Sequence, residues 1–222
     1  MFKKELYVFD QNNPVKAIIR NYNKEDFDQL IHIQQKCFPP PFPSELLWNK
    51  EQLTNHITLF PEGALCVEIK GQLVGSMTSL MINYNEQHKQ HKWEDITDNG
   101  YIKNHNPLGN SLYIVDISVN PEFRQLGLGK WLMFSMYNIV VEKKLERLLG
   151  GGRMPGYKAK ADEMTAEEYI QNVVKGKVKD PVITFLLRCG RVPLHIIPNY
   201  LEDEDSLNYG TLMEWKNPFF NN

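Results

Sequence analysis

The segment Val119-Asn120-Pro121-Glu122-Phe123-Arg124-Gln125-Leu126-Gly127-Leu128-Gly129-Lys130 constrains this chain more than any other. A strand pattern ends at Val119, a tight turn follows, and a helix pattern begins around Gly129. Leu128, Trp131, Leu132, Met136, Ile139 and Val140 recur at helical spacing and make one buried face. The first turn of such a helix has amide N–H groups without intrahelical partners, and they point past the end of the strand. Those amides and the aligned peptide dipoles favour an anion, a pyrophosphate above all. Glycines at 127 and 129 remove the side chains that would hold phosphate oxygens away.

Three phosphate-binding templates compete at this junction. The dinucleotide fingerprint GxGxxG accepts Gly127 and Gly129 and fails at Leu132. The P-loop pattern GxxxxGK[ST] fails twice, because Arg124 stands where the first glycine belongs and Trp131 where Ser or Thr belongs. The third, Arg/Gln-x-x-Gly-x-Gly/Ala, is met in full by Arg124, Gly127 and Gly129.

The rest of the chain reads as a mixed sheet with helices packed on it. Strands are predicted at 15–20, 64–69, 73–80, 111–119, 147–150, 192–197 and 209–215, with Lys70-Gly71-Gln72 turning a hairpin. Helices are predicted from Asn23 to Cys37, from Ser44 to before Pro61, over 128–144 and 165–174, and from Pro181 to Cys189. Residues 85–110 are polar and read as a long surface loop. No composition break divides the 222 residues, so one domain over 1–222 is expected.

Composition narrows the classes further. With 25 Lys+Arg against 27 Asp+Glu the formal charge is −2, which lacks the basic footprint of a nucleic-acid binder. The apolar stretch from Trp131 to Val141 is far short of the ~20 residues that span a bilayer. The opening Met1-Phe2-Lys3-Lys4-Glu5-Leu6 has no apolar core of a secretory signal. Cys37, Cys66 and Cys189 form no CxxC pair, which fits a reducing, cytoplasmic compartment.

With Val119 and Pro121 upstream, the Arg124, Gly127, Gly129 pattern resembles the signature of the GNAT superfamily of N-acetyltransferases. The resemblance covers about residues 15–216 and is strongest from Tyr113 to Gly129. It implies an α/β GNAT fold, a mixed and mostly antiparallel sheet flanked by helices, with splayed central strands. It implies acetyl-CoA as co-substrate and a primary amine, on a small molecule or a peptide, as acceptor. Pantetheine is then expected along the backbone of Ile117, Ser118 and Val119. Its pyrophosphate is expected at Arg124, Gln125, Leu126, Gly127, Leu128, Gly129 and Lys130, with the thioester in a gap between strands 111–119 and 147–150. No metal, nucleic acid or membrane is expected, and a homodimer is left open. A closer likeness lies in Gly150-Gly151-Gly152-Arg153-Met154-Pro155-Gly156-Tyr157, Asp180-Pro181-Val182 and Pro198-Asn199-Tyr200. These are similar to the acetyltransferase module of bacterial proteins that often carry a following carbon–nitrogen hydrolase domain. The chain ends at Asn222, so such a hydrolase is expected to be absent or separate.

The chemistry sets what the site must supply. An amine with pKa near ~10.4 is neutral in about one molecule in a few thousand at pH 7, so a base must take its proton or the neutral form must be bound. Attack on the thioester places negative charge on its oxygen, for which an N–H near Val119 is the expected partner. Many members of the superfamily carry a tyrosine acid four residues before the glycine that ends the last helix. Counting back from Gly190 gives Leu186, with Phe185 beside it, and neither donates a proton. Tyr157 and Tyr200 are the candidate replacements, with water or no acid as the other options. Asp116 is the candidate base, the one carboxylate on strand 111–119. Strict alternation puts it on a face with Ile114 and Ser118, either hydrogen-bonded as a structural group or at the site.

Other signals have plainer readings. His88, His91 and His105 read as solvated loop histidines, Glu202-Asp203-Glu204-Asp205 as a solvated turn, and Arg188 as facing solvent. Trp93, Glu94 and Asp95 either line an amine pocket or anchor their loop, and Arg153 is balanced between substrate contact and none. The Pro39–Pro43 run stiffens a turn expected to border the acceptor. The rival to an acetyltransferase is a CoA-binding regulatory module without turnover, motivated by the missing helix tyrosine.

Overall fold

Two N-terminal strands, β1 (Lys3–Asp10) and β2 (Asn13–Asn21), form an antiparallel hairpin in the computed structural model, which describes residues 2–85 and 89–220. β1 escapes a hydrophobic-run search because only Leu6 and Val8 are buried on it, while Tyr7 and Phe9 face outward as an edge strand permits. β3 (Ala64–Ile69), β4 (Gln72–Ile82), β5 (Ser111–Val119), β6 (Arg147–Arg153), β7 (Val192–Ile197) and β8 (Gly210–Lys216) complete the sheet. Its order is β1-β2-β3-β4-β5-β6-β8-β7, antiparallel throughout except where β5 pairs parallel with β6. The expected mixed, mostly antiparallel sheet is what forms.

Among the described residues, six α-helices pack on it: α1 (Phe27–Cys37), α2 (Lys50–Leu59), α3 (Trp93–Thr97), α4 (Leu128–Glu142), α5 (Ala166–Val174) and α6 (Pro181–Arg188). α4 buries Leu128, Leu132, Met133, Met136 and Val140 completely, so truncating Leu132 to Ala would cost about 2–5 kcal/mol. The helix expected from Ser44 is shorter than its sequence suggests. A single 3-10 turn occupies Ser44–Leu46, and α2 starts only where Asn49 and Gln52 cap each other across 2.9 Å in both directions. The stretch 85–110 is more than a surface loop. It contains α3 and buries Trp93, Ile96 and Ile102. α6 is started by Asp180, whose Oδ1 accepts from the amides of Val182 and Ile183 while Oδ2 accepts from Gly156 and the Tyr169 hydroxyl. No helix among the described residues is long and apolar enough to cross a membrane.

Candidate active site

β5 and β6 share only three paired positions, Ser111↔Arg147, Leu112↔Leu148 and Tyr113↔Leu149. β5 nevertheless runs on to Val119, and β6 to Arg153, where it stays paired with β8. The two strands therefore part after Tyr113 and Leu149, as the expected splay requires. Residues 114–119 on one side and 150–153 on the other line a cavity of about 610 Å³. The glycine run extends β6 beyond the expected end at Gly150, because its neighbours leave no room for side chains. A Cβ on Gly151 would lie 2.1 Å from the Tyr200 ring, and one on Gly152 2.8 Å from Leu186.

A bulge in β5 sets the direction of its side chains. Thr78 pairs with Asp116 but Ser79 pairs with Ile114, so Val115 is an extra residue on β5. The strict alternation expected for Asp116 is thereby broken. Ile114 turns toward Gly150 and Ile117 toward Gly129, whereas Asp116 and Ser118 turn toward α1. The Asp116 carboxylate accepts from the Ser118 hydroxyl at 2.8 Å and lies on the cavity wall. Burial pushes its pKa up to about 6, against the opposing pull of hydrogen bonds from Ser118 and Gln34 and the charge of Arg153. A carboxylate at that value is ionised at neutral pH and accepts a proton more readily than an ordinary one. Gln34 carried no signal in the sequence beyond helical spacing. It is buried on α1, and its Oε1 also accepts from the Trp48 amide.

At the phosphate junction the structure separates the expected residues. Ile117, Ser118, Val119, Arg124, Gly127, Gly129 and Lys130 line the cavity, while Gln125, Leu126 and Leu128 do not. The side chains of Leu126 and Leu128 are buried in the core, and Gln125 donates to the Glu122 carbonyl. Gly127 adopts φ +68°, the left-handed region, and a Cβ there would meet nothing within 4 Å. Its amide is held by the Arg124 carbonyl, and that of Lys130 by the Gly127 carbonyl. The amides of Leu128 and Gly129 have no such partner among the described residues. Arg124 Nε and the Cys37 thiol both donate to the Val119 carbonyl, so that carbonyl is already engaged by the protein. Arg188, read from the sequence as facing solvent, also lines the cavity with Arg124 and Lys130. The open amide of Gly129, three cations and a bare glycine at 127 fit a diphosphate, whereas the Leu128 amide is buried with its residue.

The two candidate tyrosines are not equivalent. Tyr200 lines the cavity, and its hydroxyl meets that of Tyr113 at 3.0 Å. Tyr113 in turn bonds His91 Nε2 at 2.9 Å and accepts from the Gly151 amide at 3.3 Å. Burial raises Tyr200 to about 12. Tyr157 lies outside this cavity. It packs near Tyr169 and Tyr209, and its hydroxyl reaches the Met164 carbonyl at 3.4 Å. Of the two candidate acids, Tyr200 and not Tyr157 is on the cavity wall. The solvated reading of the histidines is corrected for two of them. His91 joins the tyrosine pair, and His105 stacks on Phe60 and accepts from the Met81 amide. His88 lies outside the described residues.

The far end of the cavity is aromatic. Phe38, Phe42, Trp48 and Trp93 line it with Leu46 and Leu201, and the Trp93 indole donates to the Val115 carbonyl at 3.0 Å. Phe38 and Phe42 stand on either side of Pro39–Pro41 and line this cavity, while none of the prolines of the run does. Arg153 sits over both rings and forms a two-point ion pair with Asp203 at 2.8 and 2.6 Å. Asp203 is buried, so the acidic turn expected to be solvated holds an arginine at its second position.

A family model described as the acetyltransferase (GNAT) family matches residues 27–154. The chain is 55% identical over 217 residues to a Bacillus subtilis (strain 168) protein described as the uncharacterized N-acetyltransferase YkwB, covering 98% of this chain and 96% of that one. It is 41% identical over 203 residues to the probable hydrolase YhcX of the same organism, covering 91% of this chain but 39% of that longer protein. Among solved structures, the loading GNATL domain of CurA from Lyngbya majuscula superposes with a TM-score of 0.77 at 20% identity, over 90% of this chain and 97% of that one. Splayed strands, an amide-bearing junction at Gly127–Gly129 and these matches lead to one assignment: the chain belongs to the GNAT acetyltransferase family, acyltransferases that use acetyl-CoA.

Proposed function

We propose that the protein is an N-acetyltransferase that moves the acetyl group of acetyl-CoA to a primary amine by direct attack of the amine on the thioester. The observation that carries this reading is the cavity itself, which joins an anion-binding junction at one end to Asp116 and an aromatic pocket at the other. Acetyl-CoA supplies the activated acyl group, and its diphosphate is held by the Gly129 amide with Arg124, Lys130 and Arg188. The diverging edge of β5 from Ile114 onward orients the pantetheine chain through backbone hydrogen bonds. Asp116 takes the amine proton as the new bond forms, with Ser118 keeping the carboxylate oriented. Tyr200 donates a hydrogen bond to the departing sulfur. A phenol near 12 is a weaker acid than a thiol near ~8.5, so stabilisation of the thiolate, not complete protonation, is its role. The aromatic end formed by Phe38, Phe42, Trp48 and Trp93 suits an amine with an apolar body.

Residues 1–222 act in this reading as one domain, and three free thiols suit a reducing cytoplasm. A melting-shift screen with acetyl-CoA, followed by thiol release and mass spectrometry across an amine panel, tests the proposal. An acetyl-CoA shift with acetylated amine as product is the expected result. A shift with no thiol released from any amine would leave a CoA-binding module without turnover instead.

A further inference from the structure

Arg191 follows α6 and is buried to 2% exposure on the cavity wall. Its guanidinium carries five N–H bonds. Nη2 donates to the carbonyls of Gly150, at 3.1 Å, and Met213, tying β6 to β8. Nε is sealed from water and has no partner, and no hydrogen bond is formed by Nη1 among the described residues. No carboxylate among the described residues neutralises the charge. The ionisable groups that face it are Tyr113, Tyr137, Cys189 and Tyr200, and burial raises every one of them, so all four are neutral at pH 7. Burial lowers Arg191 itself to about 10, which still leaves it a cation. A buried cation without a counter-ion is costly, and a protein retains one where a partner can complete it.

Position says where that partner comes from. A Cβ on Gly150 would lie 3.2 Å from Nη2 of Arg191 and 3.1 Å from Cβ of Ile114. That point is one residue past the last paired rung of β5 and β6, at the apex of the gap. A side chain at 150 would fill the space between Ile114 and the guanidinium. The wall beside it carries the apolar side chains of Ile114, Val115, Phe185 and Leu186. The acyl end of a thioester in the gap is therefore what reaches Arg191.

We propose that Arg191 binds the free carboxylate of a dicarboxylic acyl group carried on CoA, so that the cavity takes, beyond the acetyl donor, acyl groups bearing a negative charge at the distal end. This deepens the acyltransferase reading and rests on CoA occupying the gap. The two N–H bonds of Nη1, unpaired and not sealed as Nε is, hold a carboxylate through charge-assisted hydrogen bonds, whereas an acetyl methyl leaves them unmet.

Calorimetric titration of the full chain, without amine so that nothing turns over, tests the idea. Succinyl-CoA and malonyl-CoA are compared with butyryl-CoA and propionyl-CoA, with CoA as reference. The charged thioesters should bind the unmodified protein at least tenfold tighter than their uncharged counterparts. Arg191→Met should erase that difference while leaving the CoA affinity within twofold, and Arg191→Lys should restore part of it. Equal affinities in the unmodified protein overturn the proposal without any variant, so a misfolded Arg191→Met does not protect it. A preference that survives in a folded Arg191→Met also overturns it. Equal acyl-CoA affinities together with Arg191-dependent binding of glutamate to the CoA-loaded protein would assign the carboxylate to the acceptor, against the proposal. If CoA itself fails to bind, the acyltransferase reading falls first and this inference with it.

Discussion

The Ser118 hydroxyl donates to the Asp116 carboxylate across 2.8 Å, two positions along β5 and just beyond its bulge. Asp116→Asn removes the proposed base and should lower kcat by about 10²–10⁴-fold. In the unmodified enzyme kcat/KM should rise with pH through a limb centred near 6, as the carboxyl ionises, and that limb should vanish in the variant. Stability should move the other way. The folded carboxyl titrates near 6 against an ordinary 3.8 in the unfolded chain, so between those values the folded chain holds more protons and stability falls as pH rises. Above pH 6 the full penalty is present, and Asp116→Asn relieves it by at most about 3 kcal/mol, less whatever water in the cleft screens. Thermal melts at pH 4 and pH 8 read this directly. A variant that is inactive and no more stable at pH 8 would make Asp116 a structural carboxylate.

Gly127→Val should abolish CoA binding with a modest loss of stability. Position 127 has φ +68° and open space around the missing Cβ, so the cost to the fold is left-handed strain of about 1–2 kcal/mol. Gly176→Val is the matched control, with φ +72°, equally open surroundings and no place in the cavity. Similar melting temperatures with CoA affinity lost only at 127 are expected. Unimpaired affinity in Gly127→Val would move the diphosphate elsewhere.

Tyr200→Phe should lower kcat about 10²-fold at unchanged KM, and stability by about 1 kcal/mol through loss of the hydroxyl pair with Tyr113. Gly151→Ala approaches the same ring from the other side. Its Cβ falls 2.1 Å from Tyr200 Cζ, so the ring must shift at a cost of about 1–3 kcal/mol. Both variants should lose turnover. A Tyr200→Phe enzyme with full kcat would reduce the tyrosine to a packing residue.

Tyr157→Phe should leave kcat and KM within about twofold. Its hydroxyl has one long contact, to the Met164 carbonyl, and does not face the cavity. Steady-state kinetics beside Tyr200→Phe separate the two tyrosines, and a large kcat loss at 157 would reverse their ranking.

Local patterns in the sequence determined a good deal. The strand Ser111–Val119, the start of α4 at Leu128, the cap at Thr165 and the glycine turn at 127 are written within a few residues of where they act. Periodicity and capping are short-range effects, so a short window of residues suffices to see them. The features that shape the cavity arise from partners far along the chain. The bulge at Val115 depends on how β4 lies beside β5, and it separates Ile114 from Asp116 and Ser118, which alternation puts on one face. Asp203 meets Arg153 fifty residues away, and Tyr200 meets Tyr113 eighty-seven away. The burial of Arg191 without a counter-ion among the described residues follows from α6, β6 and β8 closing around it. Strand register and burial are settled by which surfaces meet when the sheet assembles, and no window of neighbouring residues carries that information.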